Sequence, residues 1–242
     1  MMKEIPGGSA FVVLIDLDAA RDISLFTAEE LEDMGEDEMW EELGISFEQV
    51  DAIGVASYAG PMYIYGKFRV SSVREHLKSN GYERIERENI EMWSDGIRWT
   101  ALTDDYVVAG DQLVPPASYE FVNEVDRSLY DSEHIQETIL GLKECPYVIL
   151  LQGLNEVAVQ GPLVAGIAVC EGGEKMRSKV LAIYDNTEAA KLGMQSIAVN
   201  LDDLKDDDPD MEIDITMEGR FVEAVAEGDV QSFWQAVFSA LE

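Results

Sequence analysis

The segment Val50 to Gly81, VDAIGVASYAGPMYIYGKFRVSSVREHLKSNG, constrains the fold most tightly. Small and β-branched residues run through Ile53, Val55 and Ser57. Ala59-Gly60-Pro61 interrupts them, and an apolar, aromatic run resumes from Met62 to Phe68. Two such runs parted by Gly-Pro predict two strands joined by a turn. Ser72 and Glu75 have the S-x-x-E form of a capping box. Val70, Val73 and Leu77 then share one helical face. Gly81 is placed to end the helix, because glycine enters the left-handed region without a Cβ penalty.

Around this unit the rest of the chain can be ordered. Ala10 to Leu17 is almost wholly apolar and predicts a buried strand. Thr27 with Glu30 repeats the capping-box form and predicts a helix to about Met34, and Glu36 to Glu42 predicts a second short helix with Trp40 and Leu43 as its apolar contacts. Beyond Gly81, Tyr82 to Trp93 and Ile97 to Thr103 flank Ser94-Asp95-Gly96, a strong hairpin signal. A two-residue Asp-Gly turn would set Trp93 opposite Arg98 and Met92 opposite Trp99, allowing a cation–π contact at Arg98. Tyr106 to Ala109 predicts another strand. Pro115-Pro116 opens a helix carrying Val122, Val125 and Leu129, and a further helical piece aligns Ile135, Ile139 and Leu142.

The pattern then restarts. Tyr147 to Gln152 answers the opening strand. Leu163 to Cys170 and Lys179 to Tyr184 predict a hairpin, and Thr187 is placed to cap a helix with Ala190, Met194, Ile197 and Leu201. Met211 to Met217 and Phe221 to Ala226 predict another hairpin turned at Glu218-Gly219. Asp229 is placed to cap a last helix whose stripe includes Phe233, Trp234 and Val237. Corresponding elements lie about 115 residues apart, a repeat of pattern rather than of identity. The expected fold class is α+β: two structurally related halves, each an antiparallel sheet with helices packed on one face. The halves are expected at 1–131 and 145–242, with a helical connector at 132–144.

Charge narrows the partners. The chain has 17 Lys and Arg against 49 Asp and Glu, a formal charge of −32. Nucleic acid and anionic membranes need cationic side chains to neutralise phosphate, so neither is an expected partner. No stretch approaches the roughly 20 apolar residues of a membrane span. The opening residues show neither n-region nor h-region, so an extracytoplasmic location would require that a leader or anchor has been removed; otherwise the expectation is cytoplasmic. Cys145 and Cys170 could pair in an oxidising compartment, but their apolar flanks favour two buried thiols.

Catalytic patterns are scarce. His76 and His134 stand in no zinc-binding spacing, and G-x-S-x-G, G-x-x-x-x-G-K and G-x-G-x-x-G are absent. Two groups of carboxylates are candidate metal ligands. Asp16 and Asp18 follow the opening strand. Asp206, Asp208 and Asp210 belong to the run DDLKDDDPD, whose oxygen density suits calcium but whose spacing is not that of an EF-hand. The plain alternatives are solvated turn carboxylates at the first and a solvated loop after a helix at the second. Tyr63, Tyr65, Trp93 and Trp99 could line a groove, but on strands they are expected in the core.

LIDLDAARD, with Asp16-Leu17-Asp18, resembles the nucleophile motif of haloacid-dehalogenase-like phosphatases, and VVAGD, Val107 to Asp111, resembles their later metal-binding motif. That resemblance implies a magnesium-dependent phosphohydrolase, with Asp16 attacking phosphorus and Asp18 as acid/base, on a parallel sheet. A second resemblance covers Ile5 to Tyr130. PGGSAFVVLIDLD, VDAIGVAS, VREHLKSNGYE and TALTDDYVVAGD are similar in pattern to uncharacterised bacterial extracytoplasmic, lipoprotein-like proteins of unknown function. The leading expectation is a non-enzymatic extracytoplasmic binding or assembly protein for an unknown protein or small-molecule ligand. The alternatives are the phosphohydrolase and an acidic calcium-binding protein. No cofactor is expected in the leading case; magnesium or calcium would serve the alternatives.

Overall fold

The computed structural model describes residues 11–22, 25–26, 28–35, 38–56, 61–87, 90–111, 132–152, 161–172, 175–207, 211–228, 233 and 237. The expected helix from Pro115 and the caps at Thr27 and Asp229 lie outside them. The architecture is α+β, and every register resolved between strands is antiparallel. Two compact units divide the chain: 1–9 with 13–130, and 10–12 with 131–242.

The first unit holds all but the first two residues of β1 (Phe11–Asp16), then α1 (Leu17–Asp22), α2 (Ala28–Gly35), α3 (Glu38–Leu43), a 3-10 turn at Phe47–Gln49, β2 (Val50–Ala56) and β3 (Met62–Gly66). It continues with α4 (Val70–Ser79), β4 (Glu83–Arg87), β5 (Ile90–Ser94), β6 (Arg98–Leu102) and β7 (Tyr106–Asp111). The strands lie in the order β1-β2-β3-β7-β6-β5-β4. Trp40, Leu43, Val73 and Leu77 from the helices close over Ile53, Ile64, Trp93, Leu102 and Val107 on one face. Period-two alternation sends Tyr63, Met92, Trp99, Ala101 and Val108 to the other face, and they are buried too. This is why the four strand aromatics do not form a groove: Tyr63, Trp93 and Trp99 are core, and Tyr65 stacks on Tyr106 with 5.1 Å between ring centroids.

Local rules hold at some positions and give way at others. α4 stops as expected: Asn80 is the C-cap, Gly81 takes φ +83° and the Tyr82 N–H donates to the Leu77 carbonyl at 3.0 Å. That is a Schellman motif, and Tyr82 and Leu77 supply its apolar contact. Its start differs. The helix begins at Val70 with Arg69 as N-cap and no side-chain cap, so Ser72 lies inside the first turn and forms no capping box. The β5–β6 hairpin also turns one residue later than Asp95-Gly96. The Asp95 Oδ1 accepts from the backbone N–H of Ile97 and of Arg98, both at 2.7 Å, which centres the turn on Gly96-Ile97 with Gly96 at φ +94°. Trp93 therefore faces Thr100, Ser94 faces Trp99, and Arg98 ion-pairs with Glu42 of α3.

The second unit holds α5 (Glu133–Leu142), β8 (Tyr147–Gln152), β9 (Val164–Gly172), β10 (Lys175–Ile183), α6 (Thr187–Asp207), β11 (Glu212–Glu218) and β12 (Phe221–Glu227). Residues expected as a connector thus contain α5. The strand order is β11-β12-β10-β9-β8. α6 packs Ala190, Ile197 and Leu201 against Ile167, Val180, Ala182, Val222 and Ala224, with Phe233 and Val237 in the same core. α5 lies on the opposite face, where a Cβ on Gly166 would strike Leu142 and Thr138, and one on Gly141 would strike Leu181. Helices therefore cover both faces here, not one.

Two further expectations are corrected in this unit. Asn186, not Thr187, caps α6: its Oδ1 accepts from the N–H of Glu188 and of Ala189, both at 3.0 Å. Cys145 and Cys170 form a disulfide rather than two buried thiols. The apolar flanks that suggested thiols are the paired strands β8 and β9. Their register sets Tyr147 opposite Val169, which brings the residues just beyond that pair together.

Gly193 of α6 sits directly over Tyr184, and a Cβ there would collide with the phenol ring and its hydroxyl. Gly193→Ala should lower stability by about 1–3 kcal/mol in urea unfolding despite its better helix propensity, because overpacking outweighs it. In the first unit, Arg74 donates to Glu91 at 2.6 and 2.7 Å, and this hydrogen-bonded pair holds the Glu91 carboxyl below its usual range. A depressed carboxyl pKa stabilises the fold above the unfolded value and loses that effect as pH falls through the folded one. The Tm difference between wild type and Glu91→Gln should be flat near neutrality and shrink below about pH 4.3.

Candidate functional site

The carboxylates that close β1 are the chain's strongest sequence candidates for chemistry. β1 ends at Asp16 and α1 begins at Leu17, so the apolar run passes directly from strand to helix. Asp16 takes the ordinary job of such a junction: its Oδ1 accepts from the Ala19 N–H at 3.0 Å and caps α1. Asp18 is one position inside the helix. Its Oδ1 accepts from Arg21 Nη1 at 3.3 Å and its Oδ2 from Lys67 Nζ at 3.3 Å. Lys67, just past the end of β3, also donates to Asp51 of β2 at 2.9 Å. The Asp51 and Asp18 hydrogen bonds raise the Lys67 ammonium above its usual value.

Arg21 anchors the cluster. Its guanidinium donates to the carbonyls of Phe47 at 3.1 Å and Val50 at 3.1 Å, and it lies 5.2 Å from the centre of the Phe47 ring. It thus satisfies backbone acceptors where the 3-10 turn enters β2. Arg21 and Lys67 were not singled out in the sequence. The i, i+3 spacing of Asp18 and Arg21 was the legible signal for one; the contact of Lys67 spans 49 residues and had none.

The geometry does not assemble the phosphatase motifs. β2 and β3 lie between β1 and β7. At about 4.8 Å per strand, Val107 to Asp111 stands about 14 Å from β1, too far to share a metal with Asp16 and Asp18. The antiparallel registers also replace the parallel sheet that the resemblance implies. Both oxygens of Asp18 already face cations, so a metal there would have to displace Lys67 and Arg21.

The second group of carboxylates is placed differently from expectation. α6 runs through Asp207, so Asp206 belongs to its last turn rather than to a loop, while Asp208 and Asp210 lie outside the described residues. The helix continues because Leu201 still packs in the core and no Pro interrupts it before Pro209. Among the described residues, no three His, Cys, Asp or Glu side chains are grouped to hold a metal. His76 contacts Asn80 through Nε2 at 2.7 Å on α4, and His134 Nδ1 lies 3.6 Å from Glu137, itself bound by Arg220 at 2.9 Å. Both histidines serve local structure.

Two surface features remain. An open groove of about 390 Å³ lies between α6 and β11, lined by Ala198, Val199, Leu201, Asp202, Ile213 and Ile215. Beside it, β11 ends the strand order of its unit.

If the Asp18 cluster is a structural clasp, its members should differ in a defined way. Arg21→Ala should cost about 1.5–3 kcal/mol in denaturant unfolding, because it removes two part-buried, charge-assisted hydrogen bonds to the Phe47 and Val50 carbonyls. Lys67→Ala, which removes two ion pairs of a solvent-exposed ammonium, to Asp18 and to Asp51, should barely move the midpoint.

No family model matches the chain, and no curated protein matches it. Solved structures do. Crystal form I of TP0453 aligns with a TM-score of 0.57 at 8% identity, covering 100% of this chain and 97% of that one. Crystal form III aligns at 0.55 and 7% identity, covering 98% and 97%. At such identities the likeness carries the fold alone: the chain is similar in α+β architecture to TP0453 over nearly its whole length.

Proposed function

We propose that this chain is a non-enzymatic binding or assembly protein of an extracytoplasmic, oxidising compartment, related to the lipoprotein-like proteins that its first half resembles. The disulfide between Cys145 and Cys170 carries the reading. Such bonds persist where glutathione and thioredoxin do not keep thiols reduced. The candidate carboxylates favour binding over catalysis, since Asp16 caps a helix and Asp18 is neutralised by two cations. The strongly acidic surface directs binding toward basic or neutral partners. Among the described residues, no helix is long and apolar enough to cross a membrane.

The two units are read as related halves. Their strand orders favour it. In each, a lone strand lies beside a hairpin, a helix follows the hairpin, and the last strand returns to pair with the hairpin's second strand. Val107 faces Ile64 in the first unit and Val222 faces Ala182 in the second. Beyond this shared plan the first unit carries β4, β5 and β6, and the second carries β11.

The bond is tested in cells that produce the protein natively. Acid quenching followed by alkylation should label neither cysteine before reduction and both after it. Two thiols labelled without reduction would refute the oxidising compartment. In vitro, Cys145→Ser with Cys170→Ser should lower unfolding stability by about 3 kcal/mol, the scale for closing a loop of this size.

A further inference from the structure

We propose that the outer edge of β11, overhung by α6, accepts an added β-strand from a cationic partner: an extended segment alternating apolar residues with Lys or Arg. The inference rests on the binding reading and gives it a site and a partner chemistry.

Among the described residues the edge is regular and unpaired. β11 pairs with β12 through seven consecutive partners, from Glu212↔Glu227 to Glu218↔Phe221, without a bulge. Among the described residues no strand pairs with its other side. Edge strands are commonly blunted by Lys, Pro or a bulge, and EIDITME contains none of these. Its backbone therefore offers a row of donors and acceptors to an incoming strand.

The two faces of β11 specify what that strand carries. Ile213, Ile215 and Met217 point toward the core and are half-buried. Beyond Ile213 and Ile215 lies the groove that Val199 helps to line, and Val199 is 64% exposed. A strand added at the usual spacing of about 4.8 Å would place every second side chain in that groove. Its remaining side chains would stand beside Glu212, Asp214 and Glu218, all exposed.

Charge along this face runs basic, acidic, acidic. Arg177 and Lys179 of β10 pair with Glu227 and Glu223 of β12 at 2.9 and 2.8 Å. Glu212 of β11 then stands directly opposite Glu227, a like-charge cross-strand pair that is unfavourable by itself. Arg177 compensates Glu227 from one side. The compensating position for Glu212 is on the next strand, which this chain does not supply among its described residues. A second copy fits poorly, because edge-to-edge pairing would set Glu212, Asp214 and Glu218 against their own counterparts.

The probe is a capped peptide alternating Lys and Val, compared with a block peptide of the same composition, on the oxidised full chain at about 150 mM salt, where long-range attraction is screened. The alternating peptide should bind about tenfold more tightly and protect β11 amides from hydrogen exchange. Val199→Lys and Glu212→Lys, both at exposed positions, should each weaken it about tenfold while leaving the unfolding midpoint in place. Equal binding of the block peptide, or indifference to both substitutions, would reduce the effect to net charge and overturn the proposal. A peptide-free dimer abolished by Val199→Lys would assign the edge to a second copy and overturn it as well. Thiol trapping in cells reads neither outcome, so the compartment and the partner can fail separately.

Discussion

β9 has water on neither side. From Val164 to Cys170 every residue is buried, so along this strand both faces of the sheet must be roofed by apolar surface. α6 roofs one face with Ala190, Ile197 and Leu201, and α5 roofs the other with Ile135, Thr138 and Leu142. Close approach is bought with missing side chains: Gly166 admits α5, and Gly193 admits the Tyr184 ring under α6. Burial in turn pushes the Tyr184 phenol up to about 12. The disulfide fastens the end of β9 to the entry of β8, where the register already brings the chain segments together.

A chain with this acid excess must place its few cations with care. Arg21 spans to the carbonyls of Phe47 and Val50, Arg74 joins α4 to β5, and Arg98 joins β6 to α3. Arg177 bridges β10 and β12, and Arg220 reaches Glu137 of α5. Each links elements distant in sequence. Such half-exposed pairs add little energy one by one, yet they set which acidic side chains are compensated. Among the described residues, none of these pairs reaches the carboxylates of β11, the edge proposed above to take positive charge from outside.

The carboxylates after β1 illustrate how one pattern serves two physical ends. An apolar strand followed by D-x-D can present a nucleophile, but it can equally end a strand and cap the helix that follows. What separates the cases is the neighbouring strand. Here β2 and β3 stand between β1 and the VVAGD strand, and Lys67 delivers its ammonium to Asp18. The result is a clasp between the start of α1 and the β2–β3 hairpin.

By itself the sequence determined the elements and much of their content. Hairpins separated by Gly-containing turns, the α4 face of Val73 and Leu77, the Gly81 stop and the strand Tyr147–Gln152 all follow from neighbours within a few residues. Period two and period 3.6 are local signals, and they survive folding. Tertiary structure decided what depends on distant partners. It set the return of β7 to β3 and of β12 to β10, the helices on both faces of β9, and the meeting of Cys145 with Cys170. It also decided finer choices between near-equal local options. Asp95 moved a turn by one residue, and Leu201 in the core carried α6 into a run of aspartates that composition alone would leave as loop. The asymmetry has one cause: hydrogen bonding and side-chain periodicity are written in adjacent residues, whereas burial is decided by whatever the finished fold places on top.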